Sequence, residues 1–205
     1  MINAGRVKRD VIVIGGSAGS IQPLIDLLQR LPPDLPATVG IVLHRSPYYE
    51  SQLPSVLGSR AMLSVLEPAD GDPVLSGAVY VAPRDQHLVF EDGIVRLNRA
   101  AREHHTRPAV DPLFRSAAAR YGERVVGVLL SGMGADGVSG LIAIKKAGGL
   151  SLVQSPCEAR FESMPATALA EDHVDAALAI EDLAATLTGL ARGEPIDASH
   201  PIVSP

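Results

Sequence analysis

The sequence predicts an α/β protein built on a doubly wound, mostly parallel sheet with one antiparallel hairpin. Three observations carry this. Short runs rich in Val, Ile and Leu alternate with stretches whose apolar residues recur every three to four positions, the pattern of βαβ units. Several of the strand runs are continuously apolar rather than alternating, as strands covered on both faces are. Asp92-Gly93 stands between two such runs and signals a tight hairpin.

Strands are expected at 11–14, 39–43, 63–66, 78–82, 87–91, 94–97, 125–131, 150–154 and 174–180. Between the first two, Ile21, Leu24, Ile25, Leu28 and Leu31 form one helical face; later, Val138, Leu141, Ile142 and Lys145 begin another. Pro, Gly and charged residues cluster in loops at 31–36 and 67–73, and 99–108 is a polar, basic loop. One domain is expected over residues 11–192, with a lead-in at 1–10. The stretch 193–205, with prolines at 195, 201 and 205, reads as a flexible tail.

Composition excludes several functions. A chain of 205 residues that is 46% hydrophobic can bury a substantial core. A net charge of −5, 3% aromatic residues and no Trp argue against a nucleic-acid binder. The single cysteine, Cys157, allows neither an intrachain disulfide nor a cysteine metal cage, which suits a reducing cytoplasm. The first ten residues are polar and lack the apolar segment of a signal peptide. No apolar run approaches the ~20 residues of a membrane helix, so a cytoplasmic protein without membrane insertion is expected.

Two glycine-rich turns follow strand runs. In the second, Gly132, Gly134 and Gly137 fit the G-x-G-x-x-G dinucleotide fingerprint, with Glu158 about twenty positions on. Asp136 lies inside that turn, however, where its carboxylate would repel a pyrophosphate and compete for the same backbone donors. Helix capping by Asp136 is the plainer reading. The first turn, Gly15-Gly16-Ser17-Ala18-Gly19, fits G-x-S-x-G, the pattern that exposes a nucleophilic serine between strand and helix. A tight turn with Ser as helix cap remains open there too.

A nucleophilic serine needs a base, and the base an orienting group. Among the histidines, His44 directly follows the run 39–43, whereas His87 begins a strand, His104 and His105 lie in the basic loop, and His173 and His200 look peripheral. Ser17, His44 and Asp136 each fall just past the carboxyl end of an expected parallel strand. In a doubly wound sheet those ends share one edge, where ligands bind. One nucleophile, one base and one carboxylate on a single edge point to a serine hydrolase.

These residues resemble the catalytic domain of the chemotaxis protein-glutamate methylesterases (CheB-type) over nearly all of 11–192. The likeness runs through Ile14-Gly-Gly-Ser-Ala-Gly19, Leu43-His44-Arg45 and Gly77-Ala-Val-Tyr-Val-Ala-Pro83 with Asp85 and His87. It continues with Arg107-Pro-Ala-Val-Asp111-Pro-Leu-Phe114, Leu130-Ser-Gly-Met-Gly-Ala-Asp-Gly137 and Met164-Pro165. The resemblance implies a three-layer α/β/α sandwich and a Ser17–His44–Asp136 triad, with the Met133 backbone N–H as oxyanion donor. The implied substrates are glutamate methyl esters on the cytoplasmic helices of chemoreceptors, with glutamine deamidation as a related reaction and no metal or cofactor. Arg107, with Arg102, His104 and His105 in the basic loop, is a candidate contact for that acidic surface.

Two departures stand out. The family's turn usually reads Gly-Ala-Ser-Thr-Gly-Gly, whereas Ala18 and Ser20 occur here. The family's architecture often carries an N-terminal phosphoacceptor receiver, but only ten residues precede the first strand; either a stand-alone enzyme or a piece of a longer chain is expected, without phosphorylation of this segment itself, and a regulatory partner in trans is a further expectation. Two alternatives share the fold: a serine hydrolase acting on another ester or amide, and a non-catalytic module binding a nucleotide or protein at the turn 132–137.

Overall fold

In the computed structural model, which describes residues 7–46, 48, 52–171 and 174–196, the sheet is organised around its first strand. β1 (Val11–Gly16) is flanked by β2 (Thr38–Leu43) and β7 (Val125–Leu129), both parallel to it. With β3 (Ser64–Leu66), β4 (Ala78–Val81), β8 (Leu150–Gln154) and β9 (Ala176–Leu178), the order is β3-β4-β2-β1-β7-β8-β9, and every pairing is parallel. The chain builds outward from β1 on one side, then returns to β7 on the other. That reversal opens a crevice at the carboxyl ends of β2, β1 and β7.

Alternate residues of the buried strands serve two cores. Ile12, Ile14, Val39, Ile41 and Val128 face α1 (Ile21–Arg30), α2 (Leu53–Gly58) and α6 (Ile180–Ala191). Val11, Val13, Val42, Val125 and Leu129 face α3 (Val110–Tyr121), α4 (Val138–Lys146) and α5 (Ser163–Glu171). The result is the expected three-layer α/β/α sandwich. Continuous apolar strands were the signature of this two-sided burial.

The hairpin β5 (His87–Glu91) and β6 (Ile94–Asn98) pairs antiparallel, apart from the main sheet. Asp92 and Gly93 turn it with φ of 41° and 82°, the left-handed pair that such two-residue turns require. Its Phe90 inserts edge-on between Tyr80 and Tyr121. A Cβ at Gly40 would stand 2.9 Å from the Phe90 ring, so only glycine in β2 lets the hairpin settle on the sheet.

Several element bounds differ from expectation: β1 runs on to Gly16, and β2, β3, β4 and β6 each move by one residue at one end. β7 stops at Leu129, because the Ser131 N–H turns aside to the Gln154 side chain at 2.9 Å. The last run shortens to Ala176–Leu178, and Ile180 opens α6 instead. On α1 the buried residues are Leu24, Leu27 and Leu28, while Ile21 is half exposed at the helix start. Residues 1–6 and 197–205, which include most of the expected lead-in and tail, lie outside the described residues, as do His173 and His200. Among the described residues, no helix is long and apolar enough to cross a membrane.

Candidate active site

Ser17 is the first residue past β1. Its backbone N–H is held twice, by the Ser131 carbonyl at 3.0 Å and by the Ser20 hydroxyl at 3.0 Å. Ser20 is fully buried and donates its own hydroxyl proton to that same Ser131 carbonyl. The residue in the family's usual glycine position therefore ties the serine turn to the turn after β7. The Ser17 side chain does not cap α1; it is directed at the next strand end.

There His44, whose N–H bonds the Gly16 carbonyl at 3.1 Å, presents Nδ1 to Ser17 Oγ at 3.1 Å. Its Nε2 lies 2.6 Å from Asp136 Oδ2. A neutral imidazole so placed carries its proton on Nε2, donating to the carboxylate, and accepts the serine hydroxyl proton at Nδ1. Asp136 is 1% exposed. It also accepts the Val110 N–H at Oδ2 (2.8 Å) and the Asp111 N–H at Oδ1 (3.0 Å). Burial pushes its carboxyl pKa up, but the hydrogen bonds from His44, Val110 and Asp111 outweigh this and hold it below the usual carboxylate range.

Ser17 and His44 line an open cleft of about 470 Å³, whose wall also includes Ala18, Ile21, Arg45 and Arg160, while Asp136 is buried on the other side of the imidazole. Arg45 is mostly buried and donates to Glu67 at 3.1 Å and to the Ala82 carbonyl, bracing the end of β2 against β4. Arg160 is exposed, lies over the Phe161 ring at 5.8 Å, and forms no ion pair among the described residues.

The turn 131–137 passes close to the serine. A Cβ on Gly132 would sit 3.0 Å from Ser17 Cβ and 2.9 Å from Met164 Sδ. Gly132 is laced on both sides to the segment beyond β8, its N–H to the Phe161 carbonyl (2.9 Å) and its carbonyl to the Met164 N–H (3.0 Å). The next N–H, that of Met133, has no partner among the described residues, and the Met133 side chain is 61% exposed.

Arg107 is not among the cleft residues. Its guanidinium grips Asp85 at 2.8 and 3.1 Å and the carbonyls of Arg99 and Ala100 at 3.0 and 2.7 Å. The Arg107 hydrogen bond holds the Asp85 carboxyl below its ordinary range. Asp85 lies 22 residues earlier in the chain, and that pairing leaves no local trace in the sequence.

The dinucleotide pattern has another use. Two of the N–H groups at the start of α4 that a phosphate could use, those of Gly137 and Gly140, are occupied by Asp111 Oδ1 at 3.0 and 2.7 Å. Glu158 accepts the Ile180 N–H at 2.9 Å and so caps α6. Asp111, Asp136 and His104 bring ligand-type atoms within 4.8 Å of one another, but each of the four carboxylate oxygens already meets an N–H or ring nitrogen. Ser20 and Asp111 went unremarked as site residues in the sequence. The only hint was Ser20 in a glycine position; Asp111 reads locally as an ordinary acidic residue in a first helical turn.

A serine hydroxyl, an imidazole and a buried carboxylate in one hydrogen-bonded line, at the carboxyl edge of an α/β sandwich, form the constellation of serine hydrolases. The CheB methylesterase model matches residues 12–187, and the chain belongs to that family. A protein-glutamate methylesterase/protein-glutamine glutaminase 2 of Anaeromyxobacter dehalogenans is 40% identical over 189 residues, which are 92% of this chain and 55% of that one. A protein-glutamate methylesterase/protein-glutamine glutaminase of Pyrococcus horikoshii is 34% identical over 183 residues, 87% of this chain and 50% of its own. The chain thus spans about half the length of these two relatives. The crystal structure of the Thermotoga maritima CheB methylesterase catalytic domain superimposes with a TM-score of 0.84 at 32% identity, covering 88% of this chain and 98% of that one.

Proposed function

We propose that this chain is a serine hydrolase that demethylates glutamate methyl esters on the cytoplasmic helices of chemoreceptors, giving glutamate and methanol, with glutamine deamidation as a related reaction. The observation that carries this reading is the continuous line from Ser17 Oγ through His44 to Asp136, at 3.1 and 2.6 Å. In the first step His44 Nδ1 takes the Ser17 proton as the oxygen attacks the ester carbonyl, and Asp136 stabilises the imidazolium without itself becoming protonated. The Met133 N–H, unpartnered and one residue beyond the glycine that touches Ser17, is our oxyanion donor. His44 then protonates the departing methoxide; water attacks the acyl-enzyme with His44 again as base.

Arg160 is the cleft's exposed cation, and we assign it the contact to acidic side chains flanking the ester. Arg107 we assign to holding the loop 85–108 together rather than to substrate. On this reading the enzyme works in the cytoplasm, where those receptor helices lie. The test is methanol release from a methylated chemoreceptor cytoplasmic fragment, wild type against Ser17→Ala. Release that persists in the variant refutes the nucleophile. If wild type releases none, yet a fluorophosphonate labels Ser17, the substrate assignment fails and the hydrolase stands.

A further inference from the structure

Behind the triad, two carboxylates bind two helix starts to each other. Asp136, in the turn before α4, accepts the N–H groups of Val110 and Asp111, which open α3. Asp111, in the first turn of α3, accepts those of Gly137 and Gly140, which open α4. Neither helix receives a hydrogen bond from its own cap residue, for Ala109 and Gly137 have no polar side chain to give. Each helix is therefore capped by the other, and four otherwise orphaned donors are satisfied across the interface.

The local chain holds Asp136 through one turn bond, from the Val138 N–H to the Ala135 carbonyl at 3.2 Å. Asp136 sits between Gly134 and Gly137, whose φ values of 87° and 97° mark a turn free of Cβ restraint. What fixes the peptide that follows Asp136 is the Gly137 N–H bonded to Asp111. Asp111 is 1% exposed, and its other oxygen faces His104 Nε2 at 3.1 Å and Arg115 Nη1 at 3.8 Å. Arg115 is itself held by both Glu103 oxygens. On the far side, buried His87 accepts the Ala109 N–H at Nδ1 (3.2 Å) and bonds the Ala101 carbonyl through Nε2 (3.0 Å), bracing the start of α3.

We propose that Asp111 is a positioning residue: by clamping the start of α4 onto the start of α3, it fixes the Asp136 carboxylate against His44. The proposal rests on the triad reading above. Asp111 touches neither Ser17 nor the cleft, so its loss acts through the Asp136–His44 geometry alone. A displacement on the order of 1 Å at that bond is enough to lower turnover about 10²-fold.

The experiment compares Asp111→Ala with Asp111→Asn, which keeps an acceptor oxygen in the same place but removes the charge. The readouts are the rate of Ser17 labelling by a fluorophosphonate, kcat and KM on a methylated receptor fragment, and the low-field NMR resonance of the His44–Asp136 proton. For Asp111→Ala the expected result is labelling and kcat slowed about 10²-fold, KM within twofold and the resonance lost. Asp111→Asn should stay within about threefold of wild type and retain the resonance. An alanine variant at the wild-type rate, or an asparagine variant that falls as far as alanine, overturns the proposal. Should the alanine protein not fold, Asp111→Glu replaces it, keeping the charge while moving the acceptor, and the same two outcomes decide. Ser17→Ala and Asp136→Asn run alongside: if either labels at the wild-type rate, the triad reading itself fails. If both are impaired and Asp111→Ala is not, only the role of Asp111 falls.

Discussion

Asp136 Oδ2 lies 2.6 Å from His44 Nε2 and, on the same oxygen, takes the Val110 N–H at 2.8 Å. One donor comes from the imidazole and the other from the start of α3, so the carboxylate is held from two sides. The imidazole consequently offers Nδ1, the nitrogen nearer its own backbone, to Ser17. Chymotrypsin-type triads use the opposite edge. On the proposed triad, role rather than ring numbering defines the base, and the role falls to Nδ1.

Asp136→Asn keeps the shape but removes the acceptor charge, and its amide group opposes an Nε2–H donor. By analogy with serine proteases, kcat should fall by about 10⁴-fold while KM changes little. Steady-state kinetics on the methylated fragment check this; turnover within tenfold of wild type would refute the orienting role.

Because the Asp136 carboxyl is held below its usual range in the fold, ionisation there stabilises the native state. That contribution is complete above the unfolded value, about 3.9, and is lost as pH falls through the lower folded value. Urea unfolding between about pH 6 and about pH 3 should show a shallower acid loss for Asp136→Asn than for wild type. Equal slopes would mean that another carboxylate governs the acid limb.

Ser20→Ala removes a buried hydroxyl that bridges the Ser17 N–H and the Ser131 carbonyl. The remaining bond from the Ser17 N–H to Ser131 keeps the turn closed, so the expected cost is about 1–2 kcal/mol of stability. Loosening the serine should also slow fluorophosphonate labelling several-fold. Thermal denaturation and labelling rates measure the two effects separately.

Two arginines should part company. Arg107→Ala strips Asp85 of its partner and frees two loop carbonyls, so we expect a lowered Tm with KM nearly unchanged. Arg160→Glu should leave stability alone and raise KM for an acidic receptor fragment about tenfold, the effect shrinking as salt is added. A raised KM in the Arg107 variant, at unchanged stability, would return that residue to the substrate surface.

The architecture was legible because burial writes itself along a strand. Runs such as Ile12-Val13-Ile14 and Val39-Gly40-Ile41-Val42-Leu43 are apolar on both faces, and their ends located Ser17, His44 and Asp136 on one edge. On α1 the expected face holds at Leu24, Leu28 and Leu31, but Ile21 fits the helical period and stands over the cleft, while Leu27 enters the core. Periodicity cannot tell a core from a binding surface. Arg107 was assigned by its basic neighbours, yet its partner is Asp85, across a loop and a hairpin. Ser20 also holds the Ser17 N–H three residues back, but its tie to the Ser131 carbonyl spans 111 residues, and those of Asp111 span 26 and 29. Nothing at short range announces such bonds.

The lacing of Gly132 to Phe161 and Met164 has a consequence for redesign. Arg160 and the proposed oxyanion donor Met133 sit on two segments sewn together at Gly132, with the Ser131 hydroxyl adding a bond to the Phe161 N–H at 3.0 Å. Transplanting residues 155–163 from a relative, to borrow its substrate preference, would drag the turn beside the nucleophile along with it. If Arg160 and Met133 act as proposed, selectivity and speed are inherited as one cassette, and a chimera that exchanges the two segments together should outperform one that exchanges either alone.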